Sequence, residues 1–272
     1  MKCIFSTSLI LAALAWHIVI FRLSPKLGLV KENFKKKPVM ASYGIVAFGY
    51  VAAIVGALGV LGYAQWAGAR LYLAVMGAMW ALGVLDDLFG NRKVGGFRGH
   101  FRKLLSERKV TTGVVKAAGG ALVGLVAGWV TYGNNVWLWL GTAVLIPLAA
   151  NTLNLLDLRP GRATAVFFVG TAVTCLAAYG SLVAPWVVGT TAAVAFAFGI
   201  ADSRGKAMMG DSGANALGAA LGLTIALDAR VLMGPAIVLF AVVQLYSEKR
   251  SISALIERSP VLRSIDQRLG VR

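Results

Sequence analysis

Charge is scarce in this chain. Asp, Glu, Lys and Arg make up 14% of its 272 residues, where a soluble domain carries about 25%. That deficit excludes a water-facing surface over most of the molecule, and an apolar content of 58% points to lipid instead. Cysteine is nearly missing too. Cys3 and Cys175 each lie in an apolar run, so neither a disulfide framework nor a thiolate metal site is expected. Of the two histidines, His17 sits in an apolar stretch and reads as structural. His100, in Arg98-Gly99-His100, is a lesser candidate for a ligand or phosphate donor. Internal repeats and low-complexity linkers are missing as well, so residues 1–272 read as a single integral membrane domain.

What the chain does have is long apolar runs. A bilayer crossing needs roughly 20 such residues. Candidate helices fall at 3–21, 39–62, 71–85, 114–132, 136–154, 164–182, 186–201, 213–226 and 232–247. The expected fold class is therefore all-α: a polytopic transmembrane helical bundle of about nine helices, with eight to ten as the bounds. The N-terminus resembles a signal peptide, but its apolar run continues to Phe21 before a basic segment begins. A retained first helix is expected.

The net charge of +16 could suggest nucleic acid, but the bases lie between apolar spans. Placing 22–38 in the cytoplasm puts 86–113, 155–163, 202–212 and 248–272 there as well, and with Lys116 this side holds 24 of the 27 bases. That asymmetry is the positive-inside pattern of a multi-pass inner (plasma) membrane protein, with contacts to anionic lipid rather than nucleic acid. All the acids except Asp228 fall on the same side. Residues 248–272, with Ile252, Leu255 and Ile256 at near-helical spacing, read as a cytoplasmic amphipathic tail lying on the membrane surface.

Ionisable groups at the end of an apolar helix are costly and often functional. Three cytoplasmic edges carry them. Asp86-Asp87 end one helix, and two adjacent carboxylates suit a hard cation such as Mg²⁺. Asn151, Asn154 and Asp157 form one polar stripe at helical spacing. Gly210-Asp211-Ser212-Gly213 opens an apolar helix, where small residues and free amides favour a phosphate or metal. Each edge alone also has a bland reading: a solvated helix end, interhelical hydrogen bonding or an N-cap. Their coincidence on one face favours a common metal–phosphate site. Lys35, Lys36, Lys37, Lys116, Arg159 and Arg162 are candidates to clamp a diphosphate, although any one of them taken singly is better read as a head-group contact. Asp202 lies outside these motifs and is expected to matter less.

At these residues the chain resembles the polyprenyl-phosphate N-acetylhexosamine-1-phosphate transferase family (glycosyltransferase family 4 type). The likeness rests on Asp86-Asp87, on Asn151-x-x-Asn154-Leu155-x-Asp157, and on Gly210-Asp211-x-Gly213 followed by a Gly/Ala/Leu helix. The resemblance implies Mg²⁺, a nucleoside diphosphate sugar donor of the UDP-N-acetylhexosamine kind, a polyprenyl phosphate acceptor and release of a nucleoside monophosphate, in cell-envelope glycan synthesis. It maps Asp211 to the metal, Asp86 and Asp87 to a catalytic pair, Asn154 and Asp157 to the substrate surround, and Lys116 to a phosphate-binding base. Lys37 and Arg159 join the substrate-binding candidates, and a homodimer is left open. The chain departs from the family where Pro160 replaces a second Asp, where a Gly-Gly pair is reduced to Tyr43-Gly44, and in having no late histidine-rich loop. It reads as a shorter, divergent branch.

Two rival functions remain. A membrane prenyltransferase would want a second acid a helical turn after Asp86-Asp87, and positions 90 and 91 hold Gly and Asn. A transporter or non-catalytic lipid-binding relative is the other, although transporters place polar sites near the bilayer midplane.

Overall fold

A computed structural model describes residues 2–33, 36–41, 43–63, 66–90 and 111–270. The chain enters with α1 (Lys2–Leu23), followed by two short strands, β1 (Val30–Glu32) and β2 (Pro38–Met40). Then come α2 (Gly44–Leu61), α3 (Trp66–Phe89), α4 (Thr112–Tyr132), α5 (Val136–Leu156), α6 (Arg162–Ala177), α7 (Pro185–Ser203), α8 (Gly210–Asp228) and α9 (Met233–Ser247). The short helices α10 (Ile252–Arg258) and α11 (Pro260–Leu269) close it.

Each of the nine apolar intervals overlaps a helix, although 39–62 opens on β2 and 164–182 outruns α6, which ends at Ala177. Among the described residues, six segments are long and apolar enough to cross a membrane: α2, α3, α4, α5, α7, and α9 with the short turn before it. The all-α expectation holds; the β1–β2 ladder, which pairs Val30 with Met40 and Glu32 with Pro38, is a small addition to it. It is a backbone hook on the bundle: Asn33 Nδ2 donates to Gly205 O at 2.7 Å, and Met208 N donates to Met40 O at 2.8 Å.

Local chemistry sets several helix starts. Thr111 and Asn135 accept the Val114 and Leu138 amides as N-caps of α4 and α5, satisfying donors that a helix's first turn leaves open. Pro185 and Pro260 occupy the first turns of α7 and α11, where a missing N–H costs nothing.

The centre of the bundle is α8. Every residue from Ser212 to Ala226 is buried. A Gly/Ala-rich sequence explains this, because small side chains let neighbouring backbones approach and gain dispersion contact. A Cβ at Gly218 would strike Ala150 of α5, and one at Gly83 of α3 would lie 2.5 Å from Ser212 Cα. Gly44 of α2 packs against the backbone of Gly213 so closely that neither tolerates a side chain. α2 and α3 therefore converge on the first turn of α8, and α5 packs against it about two turns further along.

Candidate functional site

The first turn of α8 is where the acidic edges meet. Its amides need acceptors, and carboxylates from other helices supply them. Asp87, near the end of α3, accepts from Asp211 N at 3.1 Å through Oδ1 and from Ser212 N at 3.0 Å through Oδ2. Asp157, just after α5, accepts from Gly210 N at 3.1 Å. Both are N-caps supplied from elsewhere in the chain, favoured by the positive end of the helix dipole.

Asp211 itself points at a base. Lys116, from the first turns of α4, donates to Asp211 Oδ2 at 2.5 Å and lies 3.7 Å from Asp86 Oδ2. Asn154 Nδ2 donates to the same Asp211 oxygen at 3.2 Å. The Lys116 ammonium is largely enclosed, with 12% of its side chain exposed, so it interacts with both carboxylates through a medium less polar than water. Burial raises the Asp157 carboxyl well above the ordinary carboxylate range, and Asp202, Asp211 and Asp87 nearby push the same way against the Gly210 N–H.

Six of the eight expected site residues are thus brought together: Asp86, Asp87, Lys116, Asn154, Asp157 and Asp211. Lys37 and Arg159 are not joined to them. Lys37 is exposed near the β1–β2 turn, where its backbone N–H donates to Asn33 Oδ1. No hydrogen bond or ion pair links either side chain to the cluster among the described residues. His100 and Lys35 lie outside the described residues. His17 contacts Tyr50 OH at 3.0 Å and packs edge-on to Tyr43 and Tyr50 in the α1–α2 contact, as a structural histidine would.

Asp202 departs from expectation. It is buried, and its Oδ2 accepts from Gly161 N at 2.7 Å, capping α6 as Asp87 caps α8. An acid outside the motifs is therefore built into the same junction, and it is no neutral bystander.

Among the described residues no three His, Cys, Asp or Glu side chains are disposed to hold a metal between them. Mg²⁺ asks for less: one or two carboxylates plus substrate phosphates. Asp86 and Asp211, flanking one amine, meet that smaller requirement. An apolar groove lies between α6, α8 and α9, lined by Leu156, Val169, Leu221 and Phe240, with the C-terminal helices along one edge.

No family model matches this chain, and no curated protein matches it.

Proposed function

We propose that the protein transfers a sugar-1-phosphate from a nucleoside diphosphate sugar to a polyprenyl phosphate. The observation that carries this reading is the convergence of Asp86, Lys116, Asn154 and Asp211 on one helix-end junction from four separate helices. In this reading nine helices cross the inner membrane. The junction faces the cytoplasm, where the soluble donor is, because the basic segments lie at that end.

The chemistry follows from the charges. An oxygen of the lipid phosphate forms a bond to the β-phosphorus of the donor. The bond from that phosphorus to the bridging oxygen breaks, and the nucleoside monophosphate leaves with the electron pair. Such a reaction depends on in-line positioning and on neutralising charge at the phosphoryl oxygens. Asp211 and Asp86 would hold Mg²⁺, which when bound supplies charge neutralisation on the diphosphate. Lys116 binds phosphate oxygens. Asn154 orients the Asp211 carboxylate. Asp87, with both oxygens committed to α8 amides, acts as a positioning residue rather than a base. The apolar groove suits the prenyl chain by its lining, which includes Leu156, the residue before Asp157.

A second reading is favoured by the commitment of Asp87 and Asp157 to backbone amides: a protein that binds lipid phosphate without turning it over. One experiment separates the two. Purified protein, Mg²⁺ and polyprenyl phosphate are incubated with a panel of nucleotide sugars, and monophosphate release is measured beside lipid binding. Release with one sugar supports transfer, whereas binding without release from any donor retires it.

A further inference from the structure

The last two helices are not an independent surface segment. They close on the junction through one guanidinium. Arg162, the first residue of α6, is 4% exposed, and its Nε and Nη2 donate to the two oxygens of Asp266 at 2.6 and 2.9 Å. Its Nη1 donates to Ser253 Oγ at 2.8 Å. Asp266 is itself 7% exposed. One buried fork therefore holds α10 through Ser253 and α11 through Asp266, with the two-pronged geometry that Arg and carboxylate share.

The neighbouring residues extend the contact. Gly161 has φ +80°, a left-handed backbone that favours glycine, and a Cβ there would collide with the Leu269 carbonyl. A Cβ at Gly270 would lie 2.8 Å from Pro160 O and 3.0 Å from Ser203 O. The chain end thus packs on the 160–161 turn and on the end of α7, where Asp202 receives the Gly161 N–H. Four residues earlier in that turn is Asp157, whose carboxylate receives the Gly210 N–H.

From this we infer that α10 and α11 form a clasp whose Arg162–Asp266 pair positions the 157–161 turn, and through Asp157 the first turn of α8. Asp266, Arg162 and Ser253 are positioning residues: among the described residues no hydrogen bond or ion pair joins them to Asp211, and they act through the 157–161 turn and the Asp157–Gly210 hydrogen bond. A buried ion pair adds little net stability compared with an apolar substitute, but removal of one partner strands a charge. Loss of the pair should therefore be felt first in the order of the turn it holds. The consequence for turnover rests on the transferase reading above, whereas the positioning itself does not.

The test uses the full chain in detergent micelles, with backbone hydrogen exchange read by mass spectrometry. In Asp266→Asn, peptides covering 157–163 and 207–213 should exchange several-fold faster, while peptides covering 220–232 keep their native rate. Asp266→Glu, which retains the fork, should restore slow exchange. Should Asp266→Asn fail to fold, Ser253→Ala removes a single prong and should loosen the same two regions to a smaller degree. Faster exchange confined to 250–270, with 157–163 and 207–213 unchanged, would overturn the clasp as a positioning device. So would equal damage from Asp266→Glu and Asp266→Asn. If native protein shows no transfer with any donor, the transferase reading fails, yet the exchange result still decides the clasp. If transfer is present, Asp266→Asn should lower kcat more than it raises KM for the donor, with Asp266→Glu recovering it.

Discussion

The two ends of this bundle treat carboxylates in opposite ways. At the end away from the junction Asp228 stands alone, and its partners are neutral: Val183 N donates to it at 2.7 Å and Tyr72 OH lies 3.2 Å away. The base nearby, Arg230, is spent on Tyr132, hydrogen-bonding its OH and stacking on its ring. At the other end Asp86, Asp87, Asp157, Asp202 and Asp211 gather around the starts of α6 and α8, with Lys116 the one base ion-paired to them among the described residues. Backbone amides of Gly161, Gly210, Asp211 and Ser212 take part of that charge. A single acid held by neutral donors is a brace. At the junction two of the acids, Asp86 and Asp211, share the Lys116 ammonium, and the other three meet backbone amides at two helix starts, so both signs of charge are concentrated there among the described residues.

The largest expected effect separates those roles. Asp211→Asn and Asp86→Asn should each lower Mg²⁺-dependent monophosphate release by on the order of 10²-fold or more, as when a charge partner of the transition state is lost. The double variant should not multiply the losses, because the two act as a unit. Asp228→Asn, at the far end, should leave release near native. Equal loss from Asp228→Asn would erase the distinction between the ends.

The next effect is on packing. Gly83→Ala places a methyl 2.5 Å from Ser212 Cα, so α3 and α8 must part, at a cost of about 1–3 kcal/mol typical of overpacking. At the far end of the bundle a methyl added at Gly189 would meet nothing within 4 Å, and Gly189→Ala should fall within about 1 kcal/mol of native. Thermal unfolding in detergent reads both. A smaller loss is expected from Asp87→Asn. The amide keeps one acceptor oxygen for two N–H donors and loses its charge at the helix start, about 1 kcal/mol in all. If Asp87→Asn instead abolishes release at native stability, Asp87 is a reacting group and not a cap.

Much of this architecture is legible in the sequence. The nine apolar runs each overlap a helix, because long apolar segments in lipid have few ways to satisfy their backbone. The three acidic edges meet because alternate helix ends must share a face. What stays hidden depends on contacts between distant residues. Nothing in the local sequence marks Asp202 as the acceptor for Gly161, or Asp266 as the partner of Arg162 over 104 positions. The tail's spacing suggests a surface helix, yet one buried carboxylate in α11 fastens it to α6. Gly44 and Gly83 look like ordinary small residues in membrane helices, and only the approach of Gly213 and Ser212 explains them. Asp87 reads as catalytic by its neighbour and its place in a motif, whereas its geometry gives it to the backbone of α8.

The smallest expected effect is a pH dependence that one end has and the other lacks the means to produce in the same strength. Asp157 is held above its ordinary carboxylate range by burial first and then by Asp202, Asp211 and Asp87. In the unfolded chain it loses its proton near pH 4. Between that pH and its raised folded value the native state binds more protons than the unfolded one, so stability must fall as pH rises through this window. Below the window the contribution is constant. Unfolding measured at a series of pH values from about 4 upward should therefore show a descending limb, and Asp157→Asn, which cannot ionise, should flatten it. The same variant should keep an oxygen for the Gly210 N–H, so its stability at the acidic edge of the window should stay close to native. A limb that rises with pH, or one that survives Asp157→Asn unchanged, would mean that the crowding of acids at the junction is relieved by something other than a proton on Asp157.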